Sequence, residues 1–266
     1  MKRSWRAVSL GVLMVAAPVF AGTLKIITKC PPDAVLVGQT CVDKYEASVW
    51  EIPDPTTTNK SLVTKVLKGK ATLADLTAGG ATQISPSSSC TPAFPATFPL
   101  NGQWTAPLYA VSIPGVHPTG CVNWFRADQA CALSGKRLLT NAEWQRAAAG
   151  TPDPGTDNGT TDCNITTAGD AADAGARTSC KSSWGAFDMV GNLQEWVSDW
   201  VTFTAGCPGW ISGFNGDTEC FSGASTTPST YGPAGLIRGG GFLSGTGAGV
   251  FDVRANSSVS AIAASN

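Results

Sequence analysis

Histidine is nearly missing from this chain: there is one, His117, among 266 residues. A single imidazole between Val116 and Pro118 cannot build a Ser-His-Asp relay, because that chemistry needs a base held beside a nucleophile by a third group. It reads as an ordinary loop residue. The same count excludes zinc or iron centres made of several imidazoles. Charge is also sparse, at 14% of residues. No G-x-x-x-x-G-K-[ST] phosphate loop occurs. The glycine run after Arg238 (Gly239 to Gly241) does not follow the dinucleotide-binding pattern. Past the N-terminus no stretch is apolar enough to cross a membrane.

The N-terminus itself reads as an export signal. Lys2, Arg3 and Arg6 precede an apolar run from Val8 to Phe20, and Val19-Phe20-Ala21 fits the small-x-small cleavage rule. Cleavage after Ala21 divides the chain into a signal peptide, 1–21, and a single domain, 22–266. The cut removes three of 18 basic residues, leaving 15 against 19 acidic ones, a net charge of about −4. Phosphate binding needs a basic patch, so nucleic acid is not an expected partner. The expected location is outside the cytoplasm: periplasm, cell surface or medium.

What the chain does have is glycine (30), proline (17) and cysteine (9). The first two describe a loop-rich globular domain. Cysteines in an exported chain describe a disulfide framework. Local pairs are Cys30 with Cys41, Cys163 with Cys180, and Cys207 with Cys220, each closing a loop of turn-forming residues. Cys90, Cys121 and Cys131 remain. If Asn123 to Cys131 is helical, its rise of about 1.5 Å per residue separates Cys121 from Cys131 by well over 10 Å. A disulfide needs Cα atoms within about 7 Å. Cys90 is therefore expected to pair with Cys121, leaving Cys131 over.

Residues 30–50 form a small β unit turning at Gly38-Gln39. Residues 53–105 are Pro-, Thr- and Ser-rich loops with a short helix near Leu73. "NWFRADQACALSGK" predicts a helix capped by Asn123 and ended by Gly135. "TNAEWQRAAAG" predicts another, with a Thr140–Glu143 capping box and a stop at Gly150. In "FDMVGNLQEW", Asp188 and Glu195 flank a turn that exposes backbone carbonyls, which is the oxygen chemistry a calcium ion takes. The alternative is a turn whose carboxylates accept backbone N–H groups.

Four segments then line up in order: "CVDKYEAS", "VNWFRADQACALSGKRLLTNAEWQRAAAG", "WGAFDMVGNLQEWVSDW" and "IRGGGF". Together they resemble the formylglycine-generating-enzyme (sulfatase-modifying factor) family, over roughly residues 40–266. The resemblance implies an α+β fold, the family's variant of the C-type-lectin-like fold, with two helices and long ordered loops. It implies a structural calcium ion held by side-chain oxygens of Asp188 and Glu195 and carbonyls of Gly191 and Leu193. It also implies that Cys131 pairs with a cysteine in a last strand of the type "-GFR-C-R". The chain stops at Asn266 before any such strand, so the expectation is a fragment lacking its final residues.

The family's catalysis does not carry over residue by residue. Formylglycine-generating enzymes oxidise a substrate cysteine with copper held by two cysteines just after "RGG". Here that segment reads "FLSGTGAGVFDVRAN", with no cysteine, and copper(I) wants thiolates, so no copper is expected. Ergothioneine-type relatives need several histidines. The tail instead resembles the variable proteins of diversity-generating retroelements, which present changeable side chains after "RGG" on this scaffold. There, "AGVF" (Ala248 to Phe251) is the fixed piece. The resemblance implies a non-catalytic protein that binds a protein or cell-surface ligand through Phe242, Leu243, Ser244, Thr246, Asp252, Arg254, Asn256, Ser257 and Ser258. The alternatives are an oxidase acting on protein cysteine and an inactive, structural family member.

Overall fold

The computed structural model describes residues 28–261, apart from 87–89, 100, 102, 105, 106, 167, 208–215 and 225–231. The expected signal peptide lies outside the described residues. Strands β1 (Ala34–Val37) and β2 (Thr40–Asp43) form the first hairpin. Gly38 turns it with φ +63°, a value that favours glycine because it has no Cβ to clash. The bond between Cys30 and Cys41 ties its base.

Next, β3 (Ala47–Glu51) lies between β4 (Thr82–Ile84) and β5 (Tyr109–Ser112), antiparallel to both. Two helices cover this sheet: α1 (Lys60–Leu67) and α2 (Leu73–Ala78). They bury Leu62, Val66 and Leu76 against Trp50, Tyr109 and Val111. The α2 helix near Leu73 matches expectation, and a Thr72–Asp75 capping box starts it. The α1 helix was not expected. Its Leu62 and Val66, spaced i and i+4, make one apolar face, and tertiary packing stabilises it where the polar surroundings read as loop.

The two expected helices are present. Asn123 caps α3 (Trp124–Leu133) by accepting the Arg126 N–H at 3.0 Å. Thr140 and Glu143 form both bonds of the capping box on α4 (Asn141–Ala147). A second sheet runs β6 (Glu195–Thr202), β10 (Pro233–Arg238), β11 (Val253–Arg254), β8 (Glu219–Cys220). Its pairs are antiparallel except the last, which is parallel. One core joins Trp144 and Ala147 of α4 to Val197, Ala234 and Leu236 of this sheet. The fold is thus α+β, loop-rich and braced by disulfides, and of the four α-helices among the described residues only α1 was unforeseen.

All four expected disulfides form: Cys30–Cys41, Cys90–Cys121, Cys163–Cys180 and Cys207–Cys220. Cys131 is the free cysteine. It lines a partly open cavity of about 720 Å³ that also touches Lys136, Asp43, Trp144 and Trp196. Burial pushes its thiol up to about 12. Among the described residues no helix is long and apolar enough to cross a membrane.

Candidate functional site

The Arg238–Gly240 corner leaves β10 and starts the site. Arg238 is 4% exposed and stacks 4.5 Å over the Trp144 ring. It donates to Asn141 Oδ1 at 2.9 Å, to the Val250 carbonyl at 3.0 Å, and to Gln145 Oε1. Burial pulls its guanidinium down to about 10, opposed by Asp252, Asp217 and Glu195. Two glycines follow because nothing larger fits. A Cβ on Gly240 would lie 2.6 Å from Ala248, and one on Gly239 would lie 3.0 Å from the Met189 carbonyl.

Beyond the glycines, the chain is stitched down through its backbone. Phe242 N–H donates to the Asn192 carbonyl at 2.9 Å, Gly245 N–H to Ile165 at 3.0 Å, and Gly249 N–H to Gly239 at 3.2 Å. Gln145 Nε2 adds a bond to the Val250 carbonyl at 3.0 Å. Asp217 accepts the Phe251 N–H at 2.7 Å. Backbone anchoring frees side chains to face water. Leu243 is 70% exposed, and Thr246 and Asn256 are exposed, while Ser244, Ser257 and Ser258 are half-buried. Arg254 is half-buried, bonded to Asp252 at 2.8 Å and reaching Ser244 Oγ at 3.3 Å.

Two of the nine expected surface residues are not on the surface. Phe242 packs inward against Ala171 and Leu193. Asp252 is fully buried, where its carboxylate holds Arg254 and so serves the frame. Each lies beside an exposed neighbour, Leu243 or Phe251, and the sequence alone does not fix which side chains of the segment turn in.

The "DMVGN" turn sits against this loop. Asp188 (φ +61°), Gly191 (φ +74°) and Asn192 (φ +57°) all take left-handed backbone. A Cβ on Gly191 would meet the Asn164 carbonyl at 2.4 Å, so this position requires glycine. Gly191 N–H donates to the Gly239 carbonyl at 3.0 Å, which bonds the turn directly to the glycine corner. Asp188 Oδ2 accepts the Gly175 N–H at 2.7 Å, and a Glu195 oxygen accepts the Trp144 indole N–H. Burial raises both carboxyls to about 7.

A third carboxylate, Glu46, was missed by the sequence reading. It bonds the Leu193 N–H at 3.0 Å and the Asn192 side chain. Burial first, then the charges of Asp188 and Glu195, hold it well above the usual range. It stands just before β3, and no local motif marks it as the partner of a turn 146 residues away. Three carboxylates that repel one another, Asp188 buried and Glu46 and Glu195 half-buried, are the donor chemistry of a hard cation. Several of their oxygens, however, accept N–H groups, as the alternative reading of the turn expected. Among the described residues, no group of three or more His, Cys, Asp or Glu side chains is arranged to hold a metal. The expected set, with two carboxylates and two carbonyls, does not depend on such a group. His117 lies apart from this site, half-exposed and 2.9 Å from Asp173.

Residues 101–264 match a family described as the sulfatase-modifying factor enzyme 1-like domain. A curated relative, the hercynine oxygenase of Mycolicibacterium smegmatis, is 35% identical over 106 residues, 35% of this chain. The chain spans only 25% of that relative's length. Among solved structures, the Major Tropism Determinant P3c variant aligns with a TM-score of 0.39 and 19% identity, over 71% of this chain and 45% of its own. The U1 variant aligns with a TM-score of 0.40 and 17% identity, over 88% and 60%.

Proposed function

From a chain that belongs to the sulfatase-modifying factor enzyme 1-like domain family, we propose an exported, non-catalytic binding protein built on that family's C-type-lectin-like scaffold. Its ligand is a protein or another cell-surface molecule. It meets the loop face formed by Leu243, Ser244, Thr246, Arg254, Asn256, Ser257 and Ser258. One observation carries this reading: the segment is held by backbone bonds and buried groups, while Leu243 stays 70% exposed beside it. Such a loop can change its outer side chains without disturbing the core. The missing cysteine pair after Arg238-Gly239-Gly240 argues against copper oxidase chemistry.

The test has two arms. Labelled protein is offered to intact cells, with a variant carrying Leu243→Asp, Thr246→Arg and Asn256→Arg. Loss of cell binding at unchanged melting temperature supports the reading; unchanged binding moves the ligand site elsewhere. In the second arm the protein is incubated with copper and a cysteine-bearing sulfatase-type peptide. Appearance of an aldehyde would sink the non-catalytic reading. The retroelement relationship predicts a near-copy of the codons for 243–260 close to the gene, differing at adenines.

Calcium belongs to the same proposal. Asp188, Glu195 and the carbonyls of Gly191 and Leu193 would hold it, and its charge would offset the repulsion at Glu46. Through the Gly191–Gly239 bond it would stiffen the corner of the binding loop. A chelator is expected to lower the melting temperature of the wild type and to leave Asp188→Asn, Glu195→Gln unaffected. An unchanged wild-type melting temperature overturns the site.

A further inference from the structure

Beneath the Ala248-to-Phe251 piece, two acidic side chains, Asp153 and Asp217, meet. Asp217 is 1% exposed. Its Oδ2 takes the Phe251 N–H, while its Oδ1 is fully buried with no hydrogen-bond donor. Asp153 enters from the loop after α4. Its carboxyl lies against the Val250 N–H and the Asp217 carboxyl. Gly249 presses the chain onto the pair, since a Cβ there would sit 2.0 Å from Asp217 Oδ1. Ionised carboxylates only accept, so two of them in contact need a proton between them.

The surrounding charges say what occupies the gap. Asp252 and Arg238 are the charges that act on Asp217, and Arg238 is shared with Glu195. Neither guanidinium bonds the pair: Arg254 is held by Asp252, and Arg238 by Asn141, Gln145 and the Val250 carbonyl. A divalent cation such as calcium would want six to eight oxygens. The Val250 carbonyl is already taken by Arg238 and Gln145.

We infer that Asp153 and Asp217 share one proton, and that this carboxyl–carboxylate pair is a latch on the Val250–Phe251 backbone that loosens when the proton leaves. The binding-face reading is not needed for this. Burial, then the neighbouring Asp153 and Asp252 charges, push Asp217 up to about 7, and burial raises Asp153. The pair titrates as a unit. Its folded form holds the proton more tightly than the unfolded chain does. The latch therefore contributes fully below about pH 4, the unfolded carboxylate range, and is lost as pH rises through about 7.

Amide hydrogen exchange at Val250 and Phe251 tests this, with calcium held constant and intrinsic rates corrected. Protection in the wild type is expected to fall by up to about tenfold per pH unit between about pH 5 and 7. In Asp217→Asn it should stay flat, because the amide supplies a donor that does not titrate. Asp153→Asn gives the same expectation from the other side. Infrared spectra of the wild type, which need no variant to fold, should show a protonated-carboxyl band near neutral pH. Flat wild-type protection, absence of that band, or a divalent ion bound by the wild type and lost in Asp217→Asn would each overturn the shared proton.

Discussion

The segment from Arg238 to Ser258 contains two populations with opposite surroundings. Arg238, Gly240, Gly249 and Asp252 are buried at 4% exposure or less, or pressed against neighbours closer than a Cβ allows. Leu243, Thr246 and Asn256, in the same segment, are exposed. Local composition does not separate them, because both sets are mostly small and polar. Tertiary partners do: the frame residues are those that meet Trp144, Gln145, Asp217 and the "DMVGN" turn. A loop can thus be rigid in its backbone and unconstrained in its outer side chains.

The sharpest way to break this contrast is at Gly249. In Gly249→Val, even the first side-chain carbon would fall 2.0–2.3 Å from the Asp217 carboxyl atoms. The loop must then move, and the cost is expected above about 4 kcal/mol, the range reserved for overpacked or broken buried sites. Chemical denaturation measures it. Arg238→Ala comes next. It would take the guanidinium donor from the Asn141 and Gln145 side-chain oxygens and uncover Trp144. Removing one partner of a buried charged network costs about 3 kcal/mol. If either substitution is tolerated within experimental error, the frame is not a frame.

A smaller effect separates the frame from the surface by pH. Glu143 accepts from Arg137 at 2.7 Å and closes the α4 capping box. These bonds, the Arg137 pair first, hold its carboxyl down to about 2. A depressed folded value means the stabilisation exists above the unfolded value, about 4.3, and disappears as pH falls through about 2. The Arg137 side chain is 58% exposed, so solvent screening limits the effect to about 1 kcal/mol. Glu143→Gln should lose that amount at neutral pH and close to nothing at about pH 2. Equal losses at both would assign the effect to packing.

The legibility of the chain follows the same division. Caps at Asn123 and Thr140, the Gly38 turn and the four disulfides were readable because each is set by neighbours close in sequence or by pairing geometry. Helix α1 was not, since its support comes from Trp50 and Tyr109, strands away. Glu46, Asp153 and Asp217 were invisible as site residues for the same reason: they reach the turn and the loop across distances in sequence that no motif spans. Phe242 and Asp252 were placed outward because the motif marks where a loop begins and not which side chains turn in.

The smallest expected effect belongs to the outer row, and it carries the most weight for the contrast. Leu243, Thr246 and Asn256 make no core contact that their loss would open, and Leu243 at 70% exposure already pays the cost of facing water. Substituting each by Ala, Ser or Arg should change stability by no more than about 0.5 kcal/mol. Because the three sites share no hydrogen bond with one another, a combined variant should show the sum of its parts. Asn256 is the most exacting of the three, since its amide donates to Cys207 Sγ at 3.5 Å, a long contact to a weak acceptor. If Asn256→Ala costs as much as Arg238→Ala, the outer row includes an anchor. The face open to change would then be confined to the Leu243–Thr246 side of the loop.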